Sequence, residues 1–159
     1  MSDPKRELLR HTLATLVYRG RKAIANAPDG FESFPLGEKT RTPLAILAHV
    51  NDLLDWGLSM ADGSRKWNNS TPGSWAAESE RFFAAAQRLD DFLASDSALQ
   101  ADVERLFQGP IADALTHVGQ INLMRRLAGG AVRAENYFQA DVVAGRVGPD
   151  QAPPRREFD

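Results

Sequence analysis

Cysteine is absent from these 159 residues, and that omission removes disulfides, thiolate metal sites and a protein cysteine nucleophile together. Any thiol chemistry must therefore use a thiol carried in by a ligand. No apolar run approaches the roughly 18 uninterrupted residues of a membrane span, and the opening MSDPKRELLR carries no apolar signal segment. The expectation is a cytoplasmic protein without a membrane partner. A basic excess is also missing. The formal net charge is −2 and the pI about 5.9, so the cationic footprint that phosphate neutralisation needs is not there and nucleic acid is excluded as a partner. Alternating β patterns, internal repeats and low-complexity tracts are lacking too. What remains is 43% hydrophobic and 25% charged residues in a length that suits one domain with a real core. The expected domain spans 1–159.

Helical period governs every long segment. The first helix is expected from Asp3 to about Ala27, with Asp3 as N-cap, Pro4 in the first turn and a stripe of Leu9, Leu13, Leu16 and Val17. Pro28-Asp29-Gly30 ends it, and residues 31–41 form a loop able to act as a lid. Thr42-Pro43 opens a second helix that Asp62-Gly63 closes. Trp67, in the turn-rich connection after it, reads as a packing anchor. Ser74 caps a third helix that reads as scaffold. Another helical stretch is expected from Asp96 or Ser97, and Gly109-Pro110 should break or kink it ahead of a helix over 110–130. A short helix is expected over 136–144 and a loose polar tail over 148–159. The economical architecture is an all-α bundle of four principal antiparallel helices with short extra helices.

Polar residues stand where two apolar seams should be. His49 lies on the stripe Ile46, Val50, Leu53, Trp56, Met60, while Asp113 and His117 are four apart on the helix over 110–130. That spacing stacks two side chains on one helix face. If the two helices face each other, His49, Asp113 and His117 converge on one point. A histidine on an apolar stripe is often a satisfied core residue, and an Asp/His pair often only a local hydrogen bond. The three together point to one divalent metal ion, and two imidazoles with one carboxylate leave coordination positions open for water or substrate. Gly119 would admit a close helix neighbour, and Gln120 falls near the face of His117, where it can orient a ligand or a bound water. Arg125 and Arg126 serve the helix dipole and the solvent, or Arg125 reaches the site mouth and clamps a carboxylate. His11 falls on a polar face, outside the site.

The stretches LAHVNDLLDW and DALTHVGQINLMRRLAG resemble the DinB/YfiT-like superfamily, along most of the chain. The resemblance implies an up-down-down-up four-helix bundle, frequently a homodimer, holding zinc or nickel. It also implies kinship with thiol-dependent transferases and isomerases that use bacillithiol, mycothiol or glutathione in bacteria. By position His49 and His117 match the family's first and third ligands, and Asp113 stands where the family more often has histidine. The reading is a metal-dependent enzyme, a thiol-dependent transferase or isomerase or a hydrolase, acting on a small molecule. The alternative is a non-catalytic metal- or ligand-binding accessory protein associated with stress.

Overall fold

A computed structural model describes residues 3–158, so residues 1, 2 and 159 of the expected domain lie outside the described residues. Five α-helices follow one another: α1 (Pro4–Ile24), α2 (Pro43–Asp62), α3 (Trp75–Ala94), the single turn α4 (Val103–Leu106) and α5 (Ala112–Leu127). The three long helices that open on a cap residue do so as the sequence requires. The side chains of Asp3, Thr42 and Ser74 accept hydrogen bonds from the amides of Lys5, Ala45 and Ala77, satisfying donors that a first turn leaves without helical partners.

α1, α2, α3 and α5 form a bundle in which α2 touches α3 and α5, and α1 touches the same two. α1 and α2 are therefore diagonal. Directions follow from the contacts. Arg10 of α1 pairs with Asp90 of α3 while Trp75, at the start of α3, reaches the carbonyl of Ile24 at the end of α1, so these two are antiparallel. Asn51 bonds Glu78 and Asp55 bonds Arg88, so α2 and α3 run parallel, where the economical architecture has antiparallel neighbours; the 63–74 connection returns the chain along the bundle. His49 meets His117 and Gly57 faces Pro110, so α2 and α5 are antiparallel. The order is up-down-down-up, and the long 25–42 connection carries the chain across the bundle. The core is apolar and mostly aliphatic, centred on Leu13, Leu16, Leu54, Phe82, Ile121 and Met124, each at most 1% exposed.

Ahead of α5 the chain makes a wide π-turn over Phe107–Ile111, with Pro110 inside it. This is the expected break, expressed as an extra residue in the ladder. An inserted residue turns everything after it by roughly 100° about the helix axis, which sets the face that α5 offers to α2. Gly57 makes room for the turn: a Cβ there would stand 3.2 Å from the Pro110 ring.

Three further expectations are corrected. The helical stretch from Asp96 or Ser97 is only the turn Val103–Leu106. Residues 136–144 form successive turns instead of a helix. Asn136 Oδ1 accepts from the Phe138 amide, a local bond that competes with helix, and the segment packs through single side chains, Tyr137 on Tyr18 and Val142 on the core, while Phe138 is 97% exposed. The segment beyond 148 is tied back at its far end: the Phe158 amide donates to the Ala134 carbonyl, the Asn136 amide to the Arg156 carbonyl, and Glu157 pairs with Lys22 at 2.9 Å. No helix is long and apolar enough to cross a membrane among the described residues.

Candidate metal centre

The α2–α5 seam brings His49, Asp113 and His117 together, with one donor atom from each lying within 4.8 Å of the others. The His49 and His117 rings meet edge to face at 4.8 Å between centroids. His117 Nε2 stands 3.4 Å from Asp113 Oδ1, the expected one-turn stack. Two donors held about 2.1 Å from a tetrahedral zinc stand about 3.4 Å apart, so this pair already has the spacing, and the remaining separations are at most 4.8 Å. Neutral imidazoles and a carboxylate, without thiolate, suit zinc, nickel, iron or manganese.

Gln120 supplies what a bare trio would lack. Its Oε1 lies 2.7 Å from His117 Nδ1. An amide oxygen only accepts, so Nδ1 is the donor in this contact, and Nε2, the nitrogen toward Asp113, is the atom a metal would take. A second partner that fixes tautomer and ring plane is the usual companion of a ligating histidine. The expected role of Gln120 near the His117 face thus takes a definite form, contact with the imidazole.

His49 is held toward its neutral form. Burial lowers its pKa first, followed by the positive charge of Arg41 and the facing His117, against a smaller pull upward from Asp113 and Asp52. A neutral imidazole is the form that ligates. Trp67 lies edge-on to His49 at 5.8 Å and to Trp56 at 6.0 Å. The packing anchor therefore walls the site, a position its turn-rich surroundings in sequence gave no sign of.

Above the histidines opens a cavity of about 520 Å³, bounded by Leu36, Arg41, Ile46, Gln120, Leu123 and Met124. Part of the 31–41 loop thus forms the mouth, where a lid was expected. Arg41 is the functional candidate the sequence reading passed over; its only signal is its place immediately before the cap of α2.

Arg125 does not reach this mouth. It is 5% exposed, and its guanidinium donates to the carbonyls of Ala23, Ala25, Asn26 and Gly130, closing the last turn of α1. Its planar fork is spent on backbone that a helix end leaves without partners, so its expected cofactor contact is replaced by a structural one. Gly119 likewise meets nothing: a Cβ there would find open space, so no neighbouring helix explains it. His11 is exposed and away from the trio, as expected.

Compared with known proteins, the chain finds no match among family models, curated proteins or solved structures.

Proposed function

We propose that the chain is a metal-dependent enzyme of the DinB/YfiT-like kind, with His49, Asp113 and His117 holding one divalent ion, zinc or nickel. The observation that carries this reading is the trio itself, with Gln120 on His117 and both histidines lining an open cavity. The up-down-down-up helix order supports it as well. When bound, such an ion supplies Lewis acidity that lowers the pKa of a thiol or water beside it. The chain's own residues do the rest. Gln120 fixes the His117 ring, the aliphatic wall of Ile46 and Met124 excludes water from one side, and the mouth admits a small molecule. With no cysteine in the chain, a thiol substrate arrives as a low-molecular-weight cofactor. Thiol transfer or isomerisation is the first reading, hydrolysis the second.

A homodimer belongs to the same proposal. Phe138 and Leu127, 97% and 57% exposed, are apolar surface that a second copy would cover. A monomeric mass by light scattering at high concentration would count against it.

The test is metal analysis of protein purified without nickel resin, followed by thiol-transfer and hydrolysis assays. One ion per chain, lost in His49→Ala with the helical circular dichroism intact, is expected. Retention of that ion by His49→Ala at unchanged affinity would end the reading. A tightly held ion with no turnover of any thiol or ester would favour the non-catalytic accessory protein.

A further inference from the structure

The cavity above the trio is chemically lopsided. One side is aliphatic: Ile46 and Met124 are buried, 5% and 1% exposed, while Leu36 and Leu123 stand at the rim, 41% and 56% exposed; Thr40, Gln120 and the two histidines line the rest. Its volume of about 520 Å³ falls in the range that holds one small organic molecule. Into this apolar space the chain sets one permanent positive charge, Arg41, on the last exposed residue before the α2 cap. The acids of α2 nearest in sequence are already engaged elsewhere: Asp52 and Asp55 both pair with Arg81. Arg41 itself has no carboxylate partner among the described residues, in contrast to Arg10, Arg81 and Arg88.

We propose that this cavity selects a small organic monoanion, a carboxylate on an apolar body, with Arg41 clamping the carboxylate at the mouth and Leu36, Ile46, Leu123 and Met124 covering the apolar part. The planar guanidinium offers two parallel donors that match the two oxygens of a carboxylate. One arginine balances one negative charge. A phosphate dianion would find a single permanent cation, which leaves its second charge uncompensated beside the aliphatic side. The proposal deepens the metal-enzyme reading, since the clamp would hold the far end of a substrate whose reactive group points at the trio. The clamp does not require the ion.

The experiment is therefore run on both the chelator-treated and the zinc-loaded chain. Octanoate and its uncharged analogue octanamide are titrated by ligand-observed NMR against the wild type, Arg41→Gln and Arg41→Lys. Octanoate is expected to bind the chelator-treated wild type about tenfold more tightly than octanamide, the size of one charge-assisted clamp. Arg41→Gln should remove that preference and leave octanamide unchanged; Arg41→Lys, which keeps the charge but loses the fork, should retain part of it. Inorganic phosphate at matched concentration should fail to displace octanoate. Equal affinity for the two probes, unchanged octanoate binding in Arg41→Gln, no saturable octanoate binding, or displacement by phosphate at comparable strength would each overturn the proposal. Because Arg41 is exposed and makes no ion pair that the fold depends on, Arg41→Gln should keep wild-type circular dichroism. A zinc titration in the same samples separates the two ideas: Arg41-dependent octanoate binding without stoichiometric zinc sinks the metal centre alone, and stoichiometric zinc without Arg41 dependence sinks the clamp alone.

Discussion

One helix, α2, carries two polar seams, and they are built on opposite plans. Toward α3 it presents Asn51, Asp52 and Asp55. Asp52 accepts from Arg81 at 2.6 Å and from the Ser70 amide at 3.1 Å, Asn51 donates to Glu78, Glu78 also accepts from the Gly73 amide, and Asp55 bridges Arg81 and Arg88. Each carboxylate has its cation or amide, and the seam is closed. Toward α5 the same helix presents His49 to His117 and Asp113, three groups that accept or ligate, with no cationic side chain bonded among them and a cavity above. The α3 seam buries its polar atoms and pairs each carboxylate from within the chain, leaving Asn51 Oδ1 buried without a hydrogen bond, whereas the α5 seam is half open, with Asp113 exposed, and is arranged as if for something brought from outside. That difference separates polar residues that hold the bundle together from those that the bundle holds in place.

Breaking the closed seam should give the largest effect. Arg81→Met leaves Asp52 and Glu78, with side chains 4% and 6% exposed, without their cation. Stranding a buried charge costs about 3–5 kcal/mol, and because Arg81 is itself a quarter exposed the expected loss is nearer the lower end. Urea denaturation would read it. If Arg81→Met unfolds at the wild-type midpoint, the α2–α3 seam is ornamental and the contrast between the seams collapses.

The open seam should respond in affinity rather than in stability. Gln120→Ala removes the acceptor from His117 Nδ1 and frees the ring to turn and change tautomer, and losing such a partner typically weakens metal binding about 10–100-fold. With Gln120 exposed, the low end is expected, together with a metal-free urea midpoint close to wild type. Isothermal titration with zinc distinguishes this from a Gln120 that merely decorates the helix, for which the affinity would not move.

Much of this was legible from residue order, and the failures have physical causes. Caps at Asp3, Thr42 and Ser74 are local chemistry, so the sequence reads them directly. The trio was readable because its residues interrupt apolar stripes at helical spacing, and two such stripes must face each other in a bundle. Arg125 was misplaced because the pair Arg125-Arg126 looks alike in sequence; which of them turns inward depends on where α1 ends, a fact of tertiary structure. Buried Glu78 and Asp90 were passed over within a helix taken for scaffold, since their partners Arg81 and Arg10 become partners only when helices meet. The 136–144 segment has helix-compatible residues but packs through the isolated side chains of Tyr137 and Val142, and amphipathic packing, rather than propensity, stabilises most helices.

The smallest expected effect tests which influence governs His49. Burial, Arg41 and His117 push its pKa below the ordinary 6.5, while Asp113 and Asp52 pull it upward more weakly. Between the lowered native value and 6.5 the unfolded chain then binds more protons than the native one, so native stability falls as pH drops through 6.5 and the loss levels off below the native value. Above 6.5 the residue should contribute no pH dependence. Urea midpoints of the chelator-treated wild type and His49→Gln, compared between roughly pH 5 and 8, isolate this contribution: the wild type should lose ground to the variant on the acid side only. Saturating zinc should steepen the same decline, since protons and metal compete for one imidazole nitrogen. A wild type that instead gains on His49→Gln as pH falls would mean that Asp113 dominates and holds an imidazolium. The open seam would then be a closed ion pair like its neighbour on α3, with no place left for a metal.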